Sequence, residues 1–112
     1  MAGLTLVWTD SALADLDSIA DYIALDNFDA ARKLVQRVFD RVEQLADHPL
    51  SGPPVPELGD SRYRQLVETP CRVFYRHDAE RQIVYLLHVM RSERLFRADR
   101  LDAADPDPDQ AG

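Results

Sequence analysis

Residues 62–76, RYRQLVETPCRVFYR, decide how the chain is read. Residues 62 to 67 and 71 to 77 are rich in β-branched and aromatic side chains, and Glu68-Thr69-Pro70 lies between them. This pattern predicts two antiparallel strands joined by a tight turn. The stretch also holds four arginines, Arg62, Arg64, Arg72 and Arg76, in a chain of 112 residues with a formal net charge of -7. Such cations either balance acids of the same molecule or face an anionic partner.

The elements around the hairpin follow from period and punctuation. Residues 82 to 90 predict a third strand after the polar turn 78–81, so the strands form a meander. On the other side, residues 49–60 (PLSGPPVPELGD) contain four prolines and two glycines, which suits a stiff connector and no regular element. Before it, Leu13, Leu16, Ile19, Ala20 and Ile23 recur at helical spacing from Ser11 to about Leu25. Leu34, Val35, Val38, Val42, Leu45 and Ala46 do the same in a second helix, which Asn27 or Asp29 can cap and which continues to about Asp47. Residues 4–8, LTLVW, read as a short strand ending at capping residues. The predicted fold is α+β, in the order β-α-α-β-β-β, with an antiparallel sheet packed on a helical hairpin. It occupies residues 1–101 as a single domain, with one or two helical turns at 93–101. Residues 102–112 are expected to form an acidic, disordered tail.

Alternation sorts the strands by face. Val73, Tyr75, Ile83, Tyr85, Leu87 and Val89 form the more consistently apolar set, which assigns odd positions to the helix-covered side. Even positions then face outward: Arg62, Arg64, Leu66, Arg72, Phe74, Arg76, Val84, Leu86, His88 and Met90. This mixed cationic and apolar surface calls for a cover. A bulge would invert the phase of one strand.

Charge is divided along the chain. Residues 1–60 hold 4 Lys/Arg against 11 Asp/Glu, residues 61–101 hold 9 against 5, and residues 102–112 hold four Asp. The second half is therefore locally basic, and an anion senses the field within about 8 Å. The single cysteine, Cys71, is read as a small buried hydrophobe. The three histidines are too scattered for a metal site, and no glycine-rich phosphate loop is present. Asp15, Asp17 and Asp21 read as a solvated helix face. Neither an export signal nor a membrane-spanning run of about 20 apolar residues occurs, so a cytoplasmic location is expected, with no cofactor and no metal.

The ordered series ALADLDSIADYIA, AARKLVQRV, HPLSG, YRQLV, RVFYR and HVMR resembles the ParE branch of the RelE/ParE toxin superfamily over roughly residues 4 to 97. The resemblance implies the same fold, a toxin of a type II toxin-antitoxin system, and a cognate antitoxin held in a hetero-oligomer. It also implies DNA gyrase as the target of the ParE branch, and ribosome-dependent mRNA cleavage for the RelE branch. In the RelE pattern two lysines, arginines on later strands and a C-terminal tyrosine perform the cleavage. Here the lysine sites match Arg64 and Leu66, one arginine matches Arg72, another falls near Arg91, and the tyrosine has no counterpart after Tyr85. A guanidinium is a poor general base and leucine is none, which favours a non-enzymatic toxin with no catalytic residues, while DNA gyrase as its target is implied by the resemblance alone. The alternatives are an endoribonuclease using Arg64, Arg72, Arg91 and His88, or a degenerate toxin that only binds antitoxin. The expected antitoxin-binding residues are Arg62, Arg64, Leu66, Arg72, Phe74, Arg76, Leu86 and Met90. Arg91, Arg94 and Arg97 are the expected target-binding residues, and no direct sequence-specific nucleic-acid binding is expected.

Overall fold

The computed structural model describes residues 3–107. Strand β1 (Thr5–Trp8) leads into helices α1 (Asp10–Ala24) and α2 (Phe28–Glu43). The meander follows as β2 (Tyr63–Glu68), β3 (Cys71–Asp78) and β4 (Ile83–Arg91), and a short α3 (Asp99–Ala104) ends the described chain. The sheet order is β1-β4-β3-β2. The meander is antiparallel, as its short turns require, whereas β1 joins the edge parallel to β4. The α1–α2 hairpin between β1 and the meander makes that parallel pairing possible, because parallel strands need a long crossover.

Local chemistry fixes the helix starts. Thr9 caps α1 by accepting from the Ala12 N–H at 3.1 Å, and its hydroxyl also donates to the Leu86 carbonyl at 2.9 Å, fastening the helix start to β4. Asn27 caps α2 in the same way, accepting from the Ala30 N–H at 3.0 Å. The buried faces of α1 (Ala12, Leu16, Ile19) and α2 (Leu34, Val38, Val42) then pack on one side of the sheet. Among the described residues no helix is long and apolar enough to cross a membrane.

The sheet faces differ from the alternation reading, for two reasons. First, the hairpin loop has two residues, with Glu68 opposite Cys71 and Leu66 opposite Val73. Cross-strand partners therefore have opposite parity, and partners share a face. Leu66 joins Val73 and Tyr75 in the helix-side core, and Arg64, opposite Tyr75, lies on that side too. Second, Phe74 pairs with His88 while Tyr75 pairs with Leu86, so Leu87 is an extra residue in β4. The phase of β4 changes there. Val84 and Leu86 fall in the helix-side core with Val89, whereas Ile83, Tyr85, Leu87 and Met90 lie on the second face. The placements of Arg64, Leu66, Val84 and Leu86 as outward-facing, and of Ile83, Tyr85 and Leu87 as helix-covered, are thereby corrected.

The second face is not open. Val55 and Leu58 from the connector, and Phe96, Leu101 and Ala104 from the C-terminal segment, pack on Tyr63, Phe74, Tyr85, Leu87 and Met90. Thus residues 102–107, expected in a detached tail, belong to the folded unit; the rest of that expected tail, 108–112, lies outside the described residues. The cause is a second amphipathic pattern, in which Phe96, Leu101 and Ala104 supply the apolar cover, Asp105 meets the cations beneath it and Asp102 accepts from the Tyr63 hydroxyl.

Candidate functional site

Most arginines of the hairpin are already paired. Arg76 makes a two-pronged contact with Asp105, both bonds at 2.8 Å, and the side chains are 5% and 0% exposed. Arg62 reaches the same carboxylate at 3.1 Å and the Asp107 carbonyl at 2.8 Å. Burial alone would lower the Arg76 pKa, but the Asp105 carboxylate turns the shift upward, so the guanidinium stays charged. Beside it the Tyr63 hydroxyl donates to Asp102 at 2.6 Å. Burial, reinforced by that carboxylate, pushes the phenol pKa well up, and Tyr63 remains a neutral donor.

Arg72 forks onto Glu57 at 2.8 and 2.7 Å, donates to the Gln65 side chain, and lies 4.9 Å from the Phe74 ring centroid. The hydrogen bond from Arg72 holds the Glu57 carboxyl below its ordinary pKa. Arg64 has a different task. From the helix side it donates to the Gly52 carbonyl at 2.8 Å. The Tyr75 hydroxyl donates to the Pro49 carbonyl at 2.7 Å and accepts from the Gly52 N–H at 3.1 Å. Arg64 and Tyr75 together tie down the proline-rich connector. Arg64 and Arg72 therefore do not converge, and Leu66 and Leu86 are core residues on the helix side.

A second constellation lies at the other end of the sheet. β1 pairs with β4 only as far as Leu86, which leaves the rest of that β4 edge without a strand among the described residues. Asp15 of α1 takes its place. Its Oδ2 accepts from the Val89 N–H at 3.2 Å and lies 2.6 Å from His88 Nδ1, with His88 stacked on Phe74 at a centroid distance of 5.7 Å. The Asp15 and His88 side chains are 14% and 8% exposed, so Asp15 does not belong to a solvated face. The signal was present in the spacing, since Asp15 stands three residues after Ala12 and four before Ile19, inside the apolar stripe. Around this pair Tyr22, Arg91, Arg94 and Arg100 line a groove of about 440 Å³. Two expected target-binding residues, Arg91 and Arg94, meet here; Arg97 is turned to Asp99 at 2.9 Å. Cys71 is fully buried, and burial pushes its thiol pKa up, as suits a packed residue.

Comparison with known proteins agrees with this architecture. The profile of the ParE toxin of type II toxin-antitoxin systems, parDE, matches residues 6–96. The chain belongs to the ParE toxin family. Y4kP of Sinorhizobium fredii is 36% identical over 81 residues, covering 72% of this ParE-family chain and 83% of its own. Toxin RelE2 of Caulobacter vibrioides is 35% identical over 88 residues, or 77% of this chain and 96% of that one. A solved chain from the chromosomal ParDE toxin-antitoxin system of Pseudomonas aeruginosa superposes with a TM-score of 0.65 at 30% identity, covering 80% of this chain and 97% of that one. Relatives carrying both branch names are thus similar to this chain, so branch names alone do not choose between the two targets.

Proposed function

We propose that this ParE-family toxin acts on DNA gyrase, stabilising its cleaved-DNA state, and that a cognate antitoxin neutralises it in a hetero-oligomeric complex. The observation that carries this reading is the fate of the β2 and β3 cations. Acid-base cleavage of RNA needs a base, an acid and free phosphate-binding cations gathered on one surface. Arg64 instead holds the Gly52 carbonyl on the helix side, Leu66 is buried in the core, and Arg72 is forked onto Glu57. A protein-binding poison requires no such set.

Antitoxin contacts are proposed on the second face, through Arg62, Arg72, Phe74, Arg76 and Met90 or the segments that cover them. Arg64, Leu66 and Leu86 drop out, being bound to the connector or packed under the helices. The target contacts are proposed at Arg91, Arg94 and Arg97. Expressing the free chain in bacteria tests the target, with plasmid supercoiling and primer extension on translated messages read from the same culture. Relaxed or linearised plasmid with uncut messages is expected. Codon-biased cuts with normal supercoiling would overturn the reading.

One observation favours the nuclease as a second reading: the Asp15 carboxylate orients His88 beside Arg91. On that reading His88→Ala abolishes message cleavage while leaving antitoxin affinity unchanged.

A further inference from the structure

The groove between α1 and the end of β4 holds polar groups that the fold does not use up. His88 is fixed through Nδ1 by Asp15, while its Nε2 has no protein partner among the described residues. Arg91 places Nη2 on Glu93 at 2.7 Å and lies 4.8 Å from the Tyr22 ring centroid, yet its buried Nε has no hydrogen-bond partner among the described residues. The Arg94 side chain makes no hydrogen bond or ion pair among the described residues. Arg100 reaches Asp15 only at 3.4 Å. Three arginines against Asp15 and Glu93 leave the groove net positive on a chain of net charge -7.

We propose that this groove binds the phosphodiester backbone of a nucleic-acid strand without regard to sequence. Arg91, Arg94 and Arg100 take phosphate oxygens through their guanidinium forks. Tyr22, largely exposed, supplies a stacking surface for a base. An acidic peptide fits less well. Peptide segments need apolar anchor pockets, but Ile19, Val89 and Met90 along this groove are already buried in the protein's own packing. Guanidinium groups beside one exposed aromatic ring match a strand of phosphates and bases better. The inference goes beyond the gyrase reading and does not depend on it.

The test is fluorescence anisotropy of the full chain with labelled single-stranded DNA and RNA of the same sequence, about 12 nucleotides long, at about 50 mM salt. Both strands are expected to bind, and the tighter one identifies the source of the backbone. Arg94→Ala with Arg100→Ala, both at exposed positions, should weaken binding by at least about tenfold and flatten its salt dependence by about 0.7 in log-log slope per lost contact. Arg32→Ala with Lys33→Ala changes the net charge equally on the exposed face of α2 and should leave affinity within about twofold. Circular dichroism confirms that each variant is folded. The inference is overturned if neither strand binds, if both double variants lose affinity equally, or if a polyglutamate peptide of equal length binds more tightly. Inhibition of gyrase without strand binding would remove this inference alone; strand binding without gyrase inhibition would remove only the reading above.

Discussion

Asp105 answers to Arg76 and Arg62 at once in a place almost closed to water, so it is the residue whose loss costs most on the second face. Removing one partner of a buried ion pair leaves an uncompensated charge, a penalty of about 3–5 kcal/mol. Asp105→Ala should lower unfolding stability by that order, read from urea titration at neutral pH. A loss no greater than that of Asp99→Ala, whose exposed carboxylate pairs only with Arg97 among the described residues, would contradict the assignment. Gly52 acts by being small. A Cβ there would stand 2.3 Å from the Gln65 carbonyl oxygen and 2.8 Å from the Tyr75 hydroxyl. Neither backbone nor a doubly bonded tyrosine can retreat cheaply, so Gly52→Ala should cost about 2 kcal/mol or more by thermal or urea unfolding. A neutral result would mean that the connector is not held as described.

At the scale of elements, the connector and the sheet are joined by Arg72 and Glu57. The Glu57 pKa is lowered in the folded state, so its contribution is present above its ordinary value of about 4.3 and fades as pH falls through the folded value. Because Glu57 is well exposed, the contribution is about 1 kcal/mol or less. Glu57→Gln should therefore trail the native chain in urea midpoint at pH 7 and match it near pH 3, and a gap that widens in acid would refute the linkage. The order of elements and both helix caps were legible because period, capping residues and prolines act locally. The faces were not, since register is a long-range property. The two-residue loop sets opposite parity across β2 and β3, and the extra Leu87 resets the phase of β4. Nothing in the alternation of either strand by itself reports these facts. Residues 102–107 depart from their local pattern for a related reason. Taken alone they look like a solvated acidic run, and they fold because Arg62, Arg76 and the phenol of Tyr63 wait on the sheet below.

For the whole molecule, a net charge of -7 conceals two cationic regions with different fates. On the second face the arginines are matched by the chain's own carboxylates, and the family match stops at residue 96, before Leu101 and Asp105 complete that cover. At the α1–β4 groove, Arg91 and Arg94 keep unused donor capacity. If antitoxin engages the second face, Arg72→Glu should weaken the purified toxin-antitoxin pair at least about tenfold by calorimetric titration, a change of about 1.4 kcal/mol. Arg32→Glu, on the outer face of α2, should change it little; equal effects would place the antitoxin elsewhere. The target itself is tested most directly with purified components. Added to DNA gyrase, ATP and relaxed plasmid, the free toxin should block supercoiling and accumulate protein-linked cleaved DNA, and prior addition of antitoxin should abolish both effects. Full supercoiling activity with no cleaved DNA, from toxin that still arrests growth when expressed, would contradict the account.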